Sequence, residues 1–391
     1  MPWKEIRVVE LRKQMIEEWL KGNSITSLSR AFGVSRKTIY KWINRYKRVG
    51  KDGLRDQSKT PRILARATEQ RLVDMIIDAK LAHQDWGPKK LRVSLVKGYS
   101  QERWPTVSTI GRILQKKGMV KHRRKKTRTP KYTEPFLNCD KPNEVWSIDF
   151  KGHFWTKDGK VCHPLTISDN NSRYLLLCRG LSRTSYMEVR PWIEWAFRKY
   201  GLPKAIRTDN GSPFASVGIG GLSQLAVWFV KLGIVQERID TGHPEQNGRH
   251  ERMHRSLKQA TAKPPKANML LQQEAFGAFV EEYNQEQPHE ALNMLTPASI
   301  YIPSLVHFPQ LLPKIKYNHG DIVKTVKYNG QIRWNNRFIY VSEALAREPL
   351  ALRQIDDTLW EVRFSSILLG FIDTLTYTLT RFQITSRERG V

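Results

Sequence analysis

The sequence predicts a multidomain chain with all-α helix-turn-helix domains at its N-terminus, a central α/β core built on a mixed sheet, and a small C-terminal β-barrel. Three observations predict this. The 391 residues suit several domains better than one. Helical periodicity with caps and turn glycines fills the first third, strand-like alternation broken by a helix fills the centre, and hairpin signals fill the last quarter. A hydrophobic fraction of 40%, with 12 Trp, 13 Tyr and 14 Phe, supplies packed cores and excludes a disordered basic tail protein.

The formal net charge of +29 is unevenly placed. Residues 1–138 hold 34 Lys/Arg against 12 Asp/Glu, whereas residues 139–391 hold 32 against 25. So concentrated a positive field attracts polyanions and releases their counterions, which makes nucleic acid the expected partner. A membrane partner is not expected, because the basic residues are spread over several short elements rather than one amphipathic helix with a bulky apolar face. No apolar run approaches the ~18 residues of a membrane span, and Met1-Pro2-Trp3-Lys4-Glu5 lacks a signal-peptide core. A cytoplasmic, nucleoid-associated protein is therefore expected. Cys139, Cys162 and Cys178 form no C-x-x-C pair, which argues against a disulfide scaffold and a cysteine-rich zinc module.

Residues 1–60 read as a helix-turn-helix domain. Ile6, Val9, Ile16, Trp19 and Leu20 share one helical face. Ser24 and Ser35 can cap the next two helices, Gly33 supplies the turn between them, and Ile39, Trp42 and Ile43 face inward. The outer face carries Arg36, Lys37, Lys41 and Arg45, as a recognition helix with flanking phosphate contacts requires. An ordinary αα-hairpin with a solvated basic face is the bland alternative.

Residues 61–120 read as a second, winged helix-turn-helix domain or a plain helical spacer. A helix from about Thr68 to Leu81, a break at Trp86-Gly87-Pro88, a short helix near Lys89–Leu95 and a helix capped by Thr106 and ended by Gly118 make up the segment. Residues 121–138 read as a basic linker. Seven of the eleven residues from Lys121 to Lys131 are Lys or Arg, so Arg123, Arg124, Lys125 and Lys126 can also track a DNA backbone.

Residues 139–302 carry the chemistry. Val145-Trp-Ser-Ile-Asp-Phe-Lys-Gly-His-Phe, Pro164-Leu-Thr-Ile-Ser-Asp and Tyr174-Leu-Leu-Leu-Cys read as strands, a helix runs from Trp192 to Tyr200, and Ala205-Ile-Arg-Thr-Asp-Asn-Gly reads as a fourth strand ending in an acidic turn. Asp149 lies among Trp146, Ile148 and Phe150, where a buried carboxylate needs a cation or donor. Asp209 ends the fourth strand. Asp169, followed by Asn-Asn-Ser, reads as a turn residue.

Ser147-Ile-Asp149-Phe, Arg207-Thr-Asp209-Asn-Gly-Ser-Pro-Phe, Gly242-His-Pro-Glu-Gln-Asn-Gly-Arg-His-Glu251-Arg and Tyr283-Asn-Gln-Glu-Gln-Pro-His-Glu-Ala-Leu-Asn together resemble the DDE integrase core. Bacterial insertion-sequence transposases and retroviral integrases share that core. The resemblance covers about residues 5–300, and it lacks the N-terminal His/Cys zinc module of the retroviral enzymes. It implies an RNase H-like fold and a metal triad of Asp149, Asp209 and Glu251, with Asp149 bridging two ions. The family often leaves 35 residues between its second Asp and its Glu, a count that ends on Glu245 here, but the Asn-Gly-x-x context selects Glu251. The extra length fits a loop insertion at Ala215-Ser-Val-Gly-Ile-Gly-Gly-Leu.

Glu251 shares a helix face with Arg255 and Lys258 at i+4 and i+7. Hard oxygen ligands suit two Mg2+ ions, with Mn2+ able to substitute. His243, Asn210, Asn247, Arg252, Arg255 and Lys258 are candidates for holding DNA, and for each of them a structural role as cap or turn former competes. The implied partners are double-stranded element ends (terminal inverted repeats), target DNA and further copies of the chain, as a dimer or higher. The implied function is a DNA transposase performing metal-dependent cleavage and strand transfer; a catalytically silent DNA-binding regulator of transposase ancestry is the alternative, and a nuclease without joining activity a third.

Residues 303–391 return to alternating strands around Asn329-Gly330 and Asn335-Asn336. A small β-barrel is the expectation, with a role in DNA binding, subunit contact or structure alone.

Overall fold

The computed structural model describes residues 8–56, 68–120, 139–216, 221–239 and 248–381. They fall into two compact units, Met1–Thr68 and Glu69–Val391. No described helix is long and apolar enough to cross a membrane.

The first unit packs three helices, α1 (Val8–Leu20), α2 (Ile25–Ala31) and α3 (Arg36–Val49). Ser24 accepts a hydrogen bond from the Ser27 amide and Ser35 from the Thr38 amide, each at 3.2 Å, so both sequence-predicted caps form. Gly33 takes a φ of 62°, a value that favours glycine in the turn. Met15, Ile16, Leu28, Ile39, Trp42, Ile43 and Leu54 fill the centre. Leu20, expected inside, is exposed, whereas Met15, not among the inward residues expected, is buried.

In the second unit, α4 (Gln70–Ala82), α5 (Pro88–Gly98) and α6 (Val107–Lys116) close over Ile76, Trp86, Leu91, Ile110 and Leu114. Thr106 caps α6 through the Thr109 amide at 3.4 Å. There is no strand among the described residues 68–120, so the wing expected there is not among them; residues 121–138, the expected basic linker, lie outside the described residues. His83 at the end of α4 meets the Glu282 carboxylate at 2.8 Å, and Lys89 on α5 pairs with Glu290. These pairs tie the helices to the core.

The core sheet contains β1 (Val145–Phe150), β2 (Phe154–Trp155), β3 (Val161–Asp169), β4 (Leu175–Leu181), β5 (Ala205–Thr208) and β6 (Val235–Arg238). Its order is β2-β3-β1-β5-β6, with β4 paired to β3. β1 runs antiparallel to β3 and parallel to β5, and β5 runs parallel to β6, which makes the expected mixed sheet. β6 adds a strand that sequence reading did not mark.

Alternation along β1 and β3 divides the sheet into two unlike faces. Trp146, Ile148, Leu165 and Ile167 pack with α7 (Tyr186–Tyr200) and α8 (Gln224–Lys231) through Ile193, Phe197, Leu225 and Trp228. The opposite face presents Ser147, Asp149, Thr166 and Ser168. It is covered by α9 (Gly248–Thr261) and α10 (Met269–Glu281), whose Met253, Leu257, Phe276 and Phe279 pack on Cys162, Leu175 and Cys178.

The C-terminal expectation needs correction. The strands β7 (Ile322–Thr325), β10 (Pro349–Gln354), β11 (Leu359–Phe364), β12 (Ile367–Asp373) and β13 (Thr378–Arg381) form an open sheet in the order β13-β12-β11-β10-β7, and β8 (Gln331–Trp334) with β9 (Arg337–Tyr340) forms a separate hairpin. No closed barrel exists among the described residues. Asn335 and Asn336 both take positive φ, 46° and 63°, as the β8–β9 turn requires. The Asn329-Gly330 turn joins β7 to β8 without a ladder between them. Instead of closing, the sheet and hairpin bury Ile332, Trp334, Leu350, Leu352, Val362 and Phe364 together with Ala226 and Val227 of α8, and Lys231 meets Glu348 at 2.7 Å.

Candidate active site

Strand pairing places the first two sequence-predicted carboxylates. β1 and β5 are in register at Ser147↔Arg207, and two further residues along each strand bring the chain to Asp149 and Asp209. At the end of β5 the Asp209 Oδ1 accepts the Gly211 amide at 3.1 Å, and a Cβ on Gly211 would stand 3.1 Å from Oδ2. The small residue leaves that carboxylate open.

The α9 helix brings the third. Its inward face is His250, Met253, His254, Leu257 and Thr261, spaced as one helical stripe. Glu251, Arg252, Arg255 and Lys258 are exposed, which matches the shared outward face read from the sequence. The loop proposed as an insertion is closed by a bridge between Ala215 and Leu222.

Asp149 registers both other carboxylates. Burial, then the negative charge of Asp209 and, more weakly, that of Glu251 push its pKa up to about 7, against the Phe150 amide and Lys151, which favour the charged form. Beneath it lies a polar network absent from the sequence reading. Thr166 Oγ1 is 3.1 Å from the Asp149 carbonyl oxygen, 2.7 Å from His250 Nε2 and 2.7 Å from His254 Nε2. His250 Nδ1 meets Ser168 Oγ at 2.8 Å. Burial lowers the His250 pKa to about 3 and drives that of His254 down further, helped by His250. Burial thus favours the neutral form of both rings. Among the described residues, the group of three metal-ligating side chains whose ligand atoms all lie within 4.8 Å of one another is Asp149, His250 and His254. The i, i+4 pair of histidines on an otherwise apolar stripe was the available signal.

Two other acidic and amide candidates are structural. Asp169 is buried at the end of β3 and accepts from the Asn143 amide at 2.8 Å, the Ser172 amide at 2.8 Å and the Ser172 hydroxyl at 2.6 Å, so it is the turn residue expected. Asn210 donates to the Ile239 carbonyl at 2.6 Å, which gives it a loop-holding role.

On α3, Arg36, Lys37 and Lys41 are exposed while Arg45 is half-buried. Arg12, Arg45 and Lys41 lie 3.8, 4.9 and 5.1 Å from the Trp42 ring centre, so a buried indole supports the base of the basic face. Arg123, Arg124, Lys125, Lys126, His243 and Asn247, with the rejected Glu245, lie outside the described residues.

Four family models match parts of the chain. Two described as an integrase core domain match residues 140–244 and 232–297, one described as a helix-turn-helix domain matches 11–62, and one described as homeodomain-like matches 38–114. A 31.7 kDa protein of insertion element IS407 from Burkholderia multivorans is 29% identical over 48% of this chain and 66% of its own length. A 39.2 kDa protein of insertion element IS476 from Xanthomonas euvesicatoria is 24% identical over 72% of this chain and 79% of its own. Residues 140–297 are thus similar to an integrase core domain, and longer stretches of the chain are similar to proteins of bacterial insertion elements. The chain spans just under two thirds of the length of the IS407 relative. Among solved structures, a chain of the simian T-cell lymphotropic virus intasome in complex with a PP2A regulatory subunit is 18% identical, with a TM-score of 0.37 over 75% of this chain and 95% of that one.

Proposed function

We propose that the chain is a DNA transposase that binds the ends of an insertion element through its helix-turn-helix domains and performs metal-dependent DNA cleavage and strand transfer at Asp149, Asp209 and Glu251. The observation that carries this reading is the placement of a largely buried Asp149 within electrostatic reach of both Asp209 and Glu251. Asp149 is pushed up to about 7 by burial and by the other two, and a divalent cation is the partner that would restore its charged form.

The donor set fits such a group. Three carboxylates supply hard oxygen ligands of the kind Mg2+ prefers, and Mn2+ accepts them as well. When bound, two such ions supply Lewis-acid stabilisation of the phosphodiester and an oxygen nucleophile near neutral pH. The protein's own contribution is positional. Asp149 is fixed by the β1–β3 ladder, opposite Thr166, Asp209 by its turn, and Glu251 by the burial of the other face of α9. Arg252, Arg255 and Lys258 stand exposed beside Glu251, where they would hold phosphates of the bound strand. The face of α3 with Arg36, Lys37, Lys41 and Arg45 would read element ends. Joining requires two ends to be paired, so a homo-oligomer is part of the proposal.

The test is Asp149→Asn in the full chain. Joining of labelled element ends to a plasmid should fall below detection while gel-shift binding to those ends is unchanged. Joining at the wild-type rate would remove Asp149 from the chemistry. End cleavage by the wild type without covalent linkage of the 3′-hydroxyl to target would point to a nuclease instead.

A further inference from the structure

The Thr166 hydroxyl decides the protonation of both buried histidines. It has one proton and two lone pairs, and it meets the Asp149 carbonyl at 3.1 Å and the Nε2 atoms of His250 and His254 at 2.7 Å each. A carbonyl oxygen only accepts, so the hydroxyl proton goes to Asp149. Both Nε2 atoms must then donate to Thr166. Each ring is left with its lone pair on Nδ1.

The two rings part company there. The lone pair of His250 Nδ1 is taken by the Ser168 hydroxyl at 2.8 Å. His254 Nδ1 has no hydrogen bond among the described residues, and the Asp149 Oδ2 stands 3.9 Å from it. That distance is beyond a hydrogen bond. Two lone-pair donors facing each other in a site only partly open to solvent, with the Asp149 and His254 side chains 18% and 5% exposed, form a pair of ligands for a cation.

We propose that His254 Nδ1 is a nitrogen ligand for the divalent cation held by Asp149, which makes the site a mixed oxygen–nitrogen centre rather than one of carboxylates alone. Thr166 is its positioning residue: a metal-ligating imidazole commonly donates its other ring N–H to a fixed acceptor, which sets tautomer and orientation. His250, with both nitrogens engaged, is left out of coordination and serves to hold Thr166. An imidazole ligand favours Mn2+ over Mg2+. The inference rests on the carboxylate reading above only in that Asp149 holds the cation.

The experiment is pulsed electron paramagnetic resonance of the full chain loaded with Mn2+. Wild type should show the 14N coupling of one directly coordinated imidazole. His254→Asn, with circular dichroism confirming the fold, should lose that coupling and narrow the Mn2+-over-Mg2+ affinity ratio by about tenfold. Thr166→Val should retain bound Mn2+ but weaken the coupling. Bound Mn2+ without a coordinated nitrogen in the wild type, or an unchanged coupling in His254→Asn, would overturn the inference and leave the carboxylate reading standing. Failure of the wild type to bind Mn2+, or undiminished binding in Asp149→Asn, would overturn both.

Discussion

Helices α3 and α9 are each 14 residues long with a basic outer face, yet their interiors are opposites. α3 buries Ile39, Trp42 and Ile43, so its inside is packing and its charged side chains lie outside. α9 buries His250 and His254 beside Met253 and Leu257, and those imidazoles reach across to hydroxyls of β3. A basic amphipathic pattern therefore describes two different devices. One presents a charged surface, and the other sets a polar network beneath Asp149.

The apolar interior of α3 is sensitive to lost volume. Ile39 is completely buried, and Ile39→Ala should cost about 2–5 kcal/mol through lost transfer energy and a cavity. Hydrogen exchange across residues 36–49 of the full chain should accelerate, and binding to element ends should weaken with it. A variant with wild-type exchange would mean that α3 is held by something other than this core.

The polar interior should respond in the opposite sense. In the metal-free chain Asp149 has a pKa raised from 3.8 to about 7, so the folded state holds its proton more tightly than the unfolded chain does. Below pH 4 both states are protonated and the group is neutral to stability. As pH rises toward 7 the unfolded chain has already ionised, and stability falls by up to about 4 kcal/mol. Asp149→Asn should thus match wild type at pH 4 and be the more stable of the two at pH 8, although inactive. Urea titrations at the two pH values, without divalent ions, measure this; equal stability at pH 8 would mean that the site is not electrostatically strained.

What could be read from the sequence follows the same divide. α3 announced itself because Ser24, Gly33 and Ser35 are local signals, and local signals survive folding. Asp149 and Asp209 were legible because each stands where an apolar strand or its end has no use for a carboxylate. The placement of His254 beside Asp149 was not, since it depends on the β1–β3 register that sets Thr166 opposite Asp149 and on a Thr166–His254 contact that spans 88 residues of sequence. The expected barrel failed for a related reason. Alternation marks which faces are buried, but closure depends on whether β7 and β13 meet, and here α8 supplies the covering surface instead.

A smaller effect tests the local signals. Ser35→Ala removes the acceptor of the Thr38 amide and should cost about 1 kcal/mol, read as a lower thermal midpoint for the first unit. Because Thr38 Oγ1 also lies 2.9 Å from Ser35 Oγ, Ser35→Asp should retain most of the cap.

The outer face of α3 gives the finest discrimination. Lys41 is exposed, with its ammonium 5.1 Å from the Trp42 ring centre. If it holds a phosphate, Lys41→Ala should weaken element-end and random duplexes by the same factor and reduce the slope of log K against log salt by about 0.9. If it reads a base edge, the loss should fall on element ends alone, with the slope unchanged. Arg36 stands at the first position of the helix, where base edges are contacted, so Arg36→Ala should show the second pattern. Filter binding of both variants on both duplexes, from about 50 to 200 mM salt, separates the outcomes. Identical patterns for the two would mean that the basic face of α3 acts only as a field of charge, with no recognition end.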